Sequence, residues 1–167
     1  MKRILIIGIS GTGKSYTARK IRDITGLPLT HLDSIFWKEN WVEADEPQVQ
    51  GLILNEINKD SWIIEGYIEP CSEQRLKRAD KIIYLDYNGL SASIGVLKRF
   101  LKHRKSPRPE MPAGNTDKFS LSFLKMVFKR QERPEIESTI KGHEDKTLRL
   151  KNRSATKKYL KELQSQF

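Results

Sequence analysis

Residues 8–15, Gly-Ile-Ser-Gly-Thr-Gly-Lys-Ser, constrain this 167-residue chain more than any other segment. They fit the pattern G-x-x-x-x-G-K-[ST], in which a glycine-rich turn wraps around phosphate groups. Glycines let the backbone approach phosphate oxygens closely, and the amide N–H groups point inward at the positive end of the following helix. Lys14 supplies a charge for the β- and γ-phosphates, and the Ser15 hydroxyl is a candidate Mg²⁺ ligand. The segment therefore predicts a site for ATP and Mg²⁺.

The surroundings of this segment favour that interpretation over a glycine-rich turn without a ligand. Residues 3–7 form a short, β-branched apolar run typical of a buried parallel strand. After Lys14 the spacing predicts a helix with Ala18 and Ile21 on its apolar face, and Gly26 and Pro28 supply a stop signal. The residues expected to contact the nucleotide are Gly8, Ser10, Gly11, Thr12, Gly13, Lys14, Ser15, Tyr16 and Arg99.

Strand-like and helix-like segments alternate along the whole chain, which predicts an α/β fold with a parallel sheet. The predicted strands are 3–7, 27–32, 61–65, 81–85 and 147–150, and the predicted later helices are 46–59, 72–79, 90–102, 119–130, 133–141 and 154–163. Within these helices we expect Val49, Ile53, Ile57, Ile94, Leu97 and Leu101 to face inward and Ser154 to act as an N-cap. Residues 105–118 are rich in Pro, Gly and polar side chains and predict a loop. We expect one domain over 1–167, with a mobile flap at about 103–120.

Composition limits the classes of partner. No apolar run approaches the length of a membrane span, and the lone Cys71 forms no intrachain disulfide, so we expect a cytoplasmic protein that does not bind membranes. The net charge of +10 lies entirely in residues 61–167. Its densest patch consists of Lys98, Arg99, Lys102, His103, Arg104, Lys105 and Arg108. Such a patch attracts polyphosphate or nucleic acid, or else it is simply a solvated helix face.

Two acidic residues follow predicted strands at the sheet edge where ligands of open α/β folds bind. Asp33 follows the second strand and is a candidate to orient the acceptor hydroxyl or to hold Mg²⁺ through water; the alternative is a turn-capping Asp next to Ser34. Glu65 ends the third strand and is a candidate acid on the metal side. Its alternative is a carboxylate held by backbone amides.

Arginines are suited to stabilise the charge that develops on a transferred phosphoryl group. Arg99, Arg104 and Arg108 flank or enter the predicted flap, and Arg130 and Arg133 lie beyond it. We expect Arg104 and Arg108 to serve the reaction, the alternative being surface ion pairs. The expected catalytic set is Lys14, Asp33, Arg104 and Arg108, with Ser15 and Glu65 on the metal.

Four aromatic side chains lie near the same predicted strand ends. Phe36, Trp37, Trp41 and Tyr67 either wall an acceptor pocket or form a hydrophobic cluster that supports the loop after the second strand.

Longer runs carry a resemblance to a known group. They are residues 8–15, His-Leu-Asp-Ser-Ile-Phe-Trp at 31–37, Trp-Ile-Ile-Glu-Gly-Tyr at 62–67, Arg-Leu-Lys-Arg-Ala-Asp at 75–80, and 104–112 with Arg-Pro-Glu-Met at its centre. With them the chain resembles the adenylate-kinase-like P-loop proteins of the DNA topology modulation (FlaR-related) group. The resemblance implies a nucleoside-monophosphate-kinase-like fold with a five-stranded parallel sheet, flanking helices, ATP and Mg²⁺, and a short lid at 103–120.

The sequence departs from adenylate kinases at the acceptor side. Glu65-Gly66-Tyr67 is not followed by the arginine of the kinase pattern, and Phe36 and Trp37 stand near the place of another arginine that binds the acceptor phosphate, with Lys38 the nearest cation. Three hypotheses follow. They are an ATP-dependent kinase for a nucleotide or another small molecule, a nucleic-acid-associated ATPase that uses the basic second half, and a nucleotide-binding protein without catalysis.

Overall fold

The computed structural model describes residues 1–66 and 71–166. The strands are β1 (Arg3–Gly8), β2 (Leu29–His31), β3 (Trp62–Glu65), β4 (Lys81–Leu85) and β5 (Thr147–Leu150). The α-helices are α1 (Lys14–Thr25), α2 (Leu32–Phe36), α3 (Glu46–Asn58), α4 (Ser72–Arg78), α5 (Gly89–His103), α6 (Leu121–Phe128), α7 (Arg133–Ile140) and α8 (Arg153–Gln164). Two 3₁₀ turns, Glu39–Trp41 and Glu144–Lys146, complete the described elements.

The five strands form one parallel sheet in the order β2-β3-β1-β4-β5. The sequence-based prediction of an α/β fold with a five-stranded parallel sheet and flanking helices is thereby confirmed. β1 lies at the centre, so the glycine-rich turn that follows it emerges between the ends of β3 and β4. Because all strands run the same way, the residues after β1, β2 and β3 meet at one edge of the sheet.

Alternate residues of the central strand supply two separate cores, as the two-residue period of a strand requires. Leu5 and Ile7 face a layer that includes α3, α4 and α7, in which Val49, Ile53 and Ile57 are buried as predicted. Ile4 and Ile6 face α1 and α8 on the other side. Burial on both faces explains the continuous apolar run at 3–7.

The apolar face predicted for α5 is wrong. Ile94, Leu97 and Leu101 are 42%, 36% and 63% exposed, and the buried face consists of Gly89, Ala92, Ser93 and Val96. The reason is close packing. A Cβ at Gly95 would lie 2.0 Å from the carbonyl oxygen of Gly11, and a Cβ at Gly89 would lie 1.8 Å from that of Phe128. Only small side chains fit where α5 meets the glycine-rich turn and α6, so the larger apolar residues face away.

The predicted N-cap of the last helix is also wrong. α8 begins at Arg153, and the Asn152 side chain accepts a hydrogen bond of 2.8 Å from the backbone N–H of Ala155. Asn152 therefore satisfies one backbone N–H of the first turn, whereas Ser154 lies within that turn. Asn is as favourable as Ser at an N-cap, so the two positions were equivalent by residue type.

The connection between α5 and α6, residues 104–120, contains neither helix nor strand, as its composition predicts. β2 is shorter than expected because Leu32 begins the helix α2, which the sequence did not reveal. In residues 1–66 and 71–166, no helix combines the length and the apolar character that crossing a membrane requires.

Candidate functional site

The turn between β1 and α1 has the backbone conformation that its glycines predict. Gly11 and Gly13 have φ of 80° and 92°, in the left-handed region that side chains rarely adopt. A Cβ at Gly11 would also lie 2.1 Å from the carbonyl oxygen of Ala92. Gly13 is the N-cap of α1, and no acidic residue occupies the first turn. The free N–H groups and the positive end of α1 therefore face the same space, as an anion site requires.

Side chains of the turn brace it internally. Thr12 is buried, and its hydroxyl donates to the carbonyl oxygen of Ile9 at 2.8 Å. The Lys14 ammonium donates to the Gly8 and Ile9 carbonyl oxygens at 2.8 and 3.3 Å. Lys14 thus arches over the turn and places its charge where an anion would lie. The Glu132 carboxylate lies 3.4 Å from the backbone N–H of Ser10, so an anionic group already faces one amide of the turn.

A buried carboxylate lies beside the first residues of α1. Glu65 and His31 are paired neighbours on β3 and β2, and the Glu65 carboxylate lies 2.7 Å from Nδ1 of His31. Burial alone would raise the pKa of Glu65. Hydrogen bonds from His31 and Ser15, together with the charge of Lys14, outweigh the burial and hold the pKa below its usual value. Glu65 is therefore a carboxylate at neutral pH.

The Ser15 hydroxyl and the Glu65 carboxylate form an oxygen donor pair suited to Mg²⁺. Across the described ranges, no three His, Cys, Asp or Glu side chains group together as a metal cage. Mg²⁺ does not need such a cage, because it keeps several waters and usually takes one or two protein ligands plus substrate phosphates. The residues present thus fit Mg²⁺ brought with a nucleotide, and the metal role of Ser15 and Glu65 stays a prediction.

The glycine-rich turn opens into a cavity of about 340 Å³. Its walls carry several cations from distant segments: Arg19, Lys98, Arg99, Lys102, Arg108 and Arg153. His103 lines the same cavity. The acidic groups on the same walls are Asp33, Glu65, Glu110 and Glu132. With Lys14 added, positive charge exceeds negative charge, as a polyphosphate site requires.

Arg153 is a site residue that the sequence analysis missed. Its guanidinium donates to the carbonyl oxygens of Gly11 and Ser91, both at 3.2 Å, and lies 5.5 Å from the ring centre of Tyr87. The first residue of α8 is thereby held against the glycine-rich turn.

Arg99 and Arg108 pair with carboxylates at the other side of the cavity. Arg108 lies 3.6 Å from both Asp33 and Asp117, and Arg99 lies 3.5 Å from Asp117. Burial and the neighbouring Arg108 lower the pKa of Arg99, although Asp117 counteracts them. Glu110 pairs with Arg19 at 2.9 Å. Three guanidinium groups thus face three carboxylates, mostly at distances too long for strong hydrogen bonds.

A second cavity of about 620 Å³ adjoins the first. Five residues line both: Ser10, Asp33, Arg99, Arg108 and Glu132. The rest of its wall is largely apolar, with Trp37, Trp41, Val96, Leu97, Phe100, Phe119, Phe123 and Leu124. Trp37 and Trp41 meet edge to face, with ring centres 5.4 Å apart. Both tryptophans thus line this cavity and also contact each other in the segment after β2, so their assignment to an acceptor pocket stays a prediction.

A buried amide joins the 104–120 connection to the segment that carries these tryptophans. Asn115 is 0% exposed; its side chain accepts from the Trp41 backbone N–H at 2.6 Å and donates to the Lys38 carbonyl oxygen at 2.9 Å. The Trp41 indole N–H donates to the Thr116 carbonyl oxygen at 3.1 Å. The connection is consequently fastened along the rim of the second cavity.

The remaining predicted residues lie at various distances from the site. Tyr16 lies at the mouth of the first cavity and is exposed, and Phe36 packs against the core. Arg104 is exposed and lines neither cavity. Arg130 and Arg133 instead bind the buried carboxylate of Asp86. Tyr67 lies outside the described residues.

Some of the missed residues had a signal in the sequence and others had none. His31, which the sequence analysis missed, ends the strand next to that of the predicted Glu65, so strand order and register would have paired the two. Arg153 follows the fifth predicted strand at the ligand-binding edge. Glu110, Asp117, Asn115 and Glu132 lie in or after an irregular segment whose path carries no periodic signal.

Comparison with solved structures shows the fold. The chain is similar to a shikimate kinase from Bacteroides thetaiotaomicron, with a TM-score of 0.60 and 15% identity over 99% of this chain and 97% of that chain. For a gluconokinase from Sinorhizobium meliloti 1021 the TM-score is 0.59, with 15% identity over 98% and 90%. For the Acinetobacter baumannii shikimate kinase in complex with shikimate it is 0.58, with 16% identity over 99% and 94%. No protein-family model and no curated protein sequence matches the chain.

Proposed function

We propose that the protein is an ATP-dependent P-loop phosphotransferase that transfers the γ-phosphoryl group to a small-molecule acceptor. One observation carries this proposal: the cavity at the glycine-rich turn and the aromatic cavity share a wall, and Asp33 stands in it. A donor and an acceptor bound in the two cavities would meet beside that carboxylate. The similarity in fold to shikimate kinases and a gluconokinase supports the same reaction class.

The phosphate-binding residues would act by positioning and by charge, which supply most of the catalysis in phosphoryl transfer. The amides of residues 10–16 bind the β- and γ-phosphates, and Lys14 exchanges its carbonyl partners for phosphate oxygens. Ser15 and Glu65 would hold Mg²⁺, which neutralises charge on the phosphates when bound. His31 keeps the Glu65 carboxylate oriented through its 2.7 Å contact.

The acceptor side would need a group that orients a hydroxyl and a cation that meets developing charge. Asp33 accepts the hydrogen bond of the acceptor hydroxyl and takes its proton as the hydroxyl oxygen bonds to the γ-phosphorus. The bond between the γ-phosphorus and the β,γ-bridging oxygen breaks in the same transfer, and ADP leaves with that oxygen. Arg108, 8% exposed and 3.6 Å from Asp33, stabilises the equatorial oxygens of the transferred group, with Arg99 behind it. Arg104 lies outside both cavities, so its proposed role depends on a different position of the 104–120 lid.

The proposal is tested by measuring ADP release from ATP and Mg²⁺ across nucleosides, nucleotides, sugars and hydroxy acids. We expect acceptor-dependent ADP release by the wild type and a loss of nearly all of it in Lys14→Ala. Absence of ATP binding by the wild-type protein would refute the proposal outright. ATP binding with slow hydrolysis and no response to any acceptor would favour a binding protein instead.

We also propose that the chain is a member of the DNA topology modulation group, because the motifs at 31–37 and 104–112 resemble those of that group.

A second candidate function is a nucleic-acid-associated ATPase. It is favoured by the exposed side chains of Lys98, Lys102, Arg104 and Lys105 around the end of α5. DNA binding measured against salt concentration tests it, because phosphate neutralisation gives a steep loss of affinity with salt. No DNA binding at low salt would exclude this candidate.

A further inference from the structure

We infer that the acceptor is an uncharged alcohol that carries a flat aromatic ring, such as a nucleoside, and not an anionic hydroxy acid or a nucleoside monophosphate. The inference rests on the proposed function, because it assigns the aromatic cavity to the acceptor. It comes from three properties of that cavity. These are its wall of aromatic rings, its equal numbers of positive and negative side chains, and its buried donor and acceptor atoms that make no hydrogen bond.

The wall favours a flat apolar body. Five aromatic rings, from Trp37, Trp41, Phe100, Phe119 and Phe123, line the cavity. Two pairs are in ring contact, at 5.4 Å for Trp37–Trp41 and 5.5 Å for Phe100–Phe119. Aromatic rings prefer stacked or edge-to-face neighbours with centres a few ångströms apart, so a ring-bearing ligand gains contacts here that a polyhydroxy chain does not.

The charge disfavours an anion. The lining holds three carboxylates, from Asp33, Asp117 and Glu132, and three cations, from Arg99, Arg108 and the exposed Lys118. Arg108 and Arg99 already face Asp117, and Arg108 also faces Asp33. An acceptor carboxylate or phosphate would have to take a guanidinium from a buried aspartate, and the uncompensated aspartate would oppose binding. The neighbouring cavity at the glycine-rich turn, called the phosphate cavity below, has more cations than carboxylates in its lining and has no such barrier.

Loose ion pairs in the cavity favour a group that both donates and accepts. Nε of Arg99 lies 3.5 Å from Oδ2 of Asp117, and Nε of Arg108 lies 3.6 Å from the other oxygen of Asp117. Oδ2 of Asp117 and both Nε atoms are buried and make no hydrogen bond at these distances. A hydroxyl or a ring amide satisfies a carboxylate oxygen and a guanidinium N–H together. A carboxylate or phosphate oxygen only accepts, so it would leave Oδ2 of Asp117 without a hydrogen bond.

The experiment is calorimetric binding of matched ligands to the full chain saturated with Mg²⁺ and a non-hydrolysable ATP analogue, followed by ADP release with ATP. The probes are adenosine, cytidine, thymidine and 4-hydroxybenzyl alcohol. Each nucleoside is compared with its 5′-monophosphate, in which a charged phosphate group replaces the 5′-hydroxyl, and with ribose, which lacks the base. Gluconate and shikimate represent anionic hydroxy acids. We expect at least one aromatic alcohol to bind more than tenfold more tightly than its monophosphate, ribose or either hydroxy acid, and to raise ADP release.

Two variants test the cause. Asp117→Asn leaves Arg99 and Arg108 with excess positive charge, so the preference for a nucleoside over its monophosphate should fall at least tenfold. Glu132→Gln, at the same wall, should shift it in the same direction if the first variant does not fold. Leu52→Ala, on the exposed face of α3, is the control and should leave the preference unchanged.

The outcomes separate the two proposals. If the ATP analogue does not bind, the proposed function fails. If the analogue binds but an anionic acceptor is preferred, or no aromatic alcohol binds, the acceptor inference is overturned while the phosphotransferase proposal stands or falls on ADP release. An unchanged preference in both charge variants would also overturn the electrostatic argument.

Discussion

The two cavities of the cleft are built from different parts of the polypeptide. The phosphate cavity is centred on backbone groups of one short segment, residues 8–15, at the start of α1. The aromatic cavity is assembled from side chains of α2, α5, α6 and the irregular segments between elements. Backbone amides recognise phosphate whatever is attached to it, whereas scattered side chains fit one shape and charge. Under the proposed function, the first cavity would therefore set the reaction class and the second would set specificity.

The largest effect should come from Lys14→Ala. Loss of the ammonium removes the one side-chain charge that the glycine-rich turn itself supplies, and we expect ADP release to fall by about 10²–10³-fold. Lys20→Ala, exposed on the same helix, should fall by less than twofold. Steady-state kinetics of both variants measure the difference. Equal rates for Lys14→Ala and wild type would mean that the turn is not the donor site.

Asp33→Asn tests the wall that joins the two cavities. We expect acceptor-dependent turnover to fall about 100-fold, because a general base typically contributes that much or more. Affinity for ATP, measured by calorimetry, should change by less than threefold. Asp23→Asn, exposed on α1, is the control. A parallel loss of ATP affinity would assign Asp33 to the donor cavity alone.

Asn115→Ala should affect the aromatic cavity only. The substitution removes two hydrogen bonds and leaves the Trp41 backbone N–H and the Lys38 carbonyl oxygen unsatisfied. We therefore expect a loss of about 1–3 kcal/mol in the free energy of unfolding. The KM for the acceptor should rise while the KM for ATP stays constant. Urea denaturation and kinetics of this variant, beside the exposed Asn55→Ala, give both quantities. A rise in both KM values would show that the cavities are not independent.

Glu65 gives the phosphate cavity a pH dependence. Its folded-state pKa lies below the ordinary value of 4.5, so it stabilises the fold above that value, and this contribution is lost as the pH falls through the folded-state pKa. Glu65→Gln removes the titration. The wild-type advantage over Glu65→Gln, measured by urea denaturation, should therefore be constant near neutral pH and shrink progressively below about pH 5. A difference that grows on acidification would mean that burial, not the His31 and Ser15 contacts, dominates.

The smallest effect should come from Arg104→Ala. Arg104 is exposed and has no place in either cavity, so we expect turnover within about twofold of wild type, a range typical of exposed positions. Arg108→Ala, at the shared wall, should lose at least tenfold by comparison. Equal losses would show that the lid brings Arg104 into the site during turnover.

The segment that forms the phosphate cavity could be predicted from the sequence, whereas most residues that line the aromatic cavity could not, and the reason is physical. A phosphate-binding turn needs its glycines and lysine within one short segment, so the sequence pattern predicts its geometry. The five strands were predicted from their apolar runs, which are most completely buried in β1, β3 and β4. The inward face of α5 was misassigned because the glycines of another segment demand small residues there, and sequence periodicity does not carry that contact. Likewise, the pairing of Asp117 with Arg99 and Arg108 depends on the path of an irregular segment.

The hydrogen bonds of Asn115 have a consequence for the order of events in the proposed catalytic cycle. Because the Asn115 amide joins the 104–120 connection to the segment that bears Trp41, the two segments stay together while its hydrogen bonds persist. Opening the cleft would then be a single cooperative step, and the departure of the phosphorylated product would wait for it. Under the proposed function, the strength of this buried amide would then limit the rate of product release.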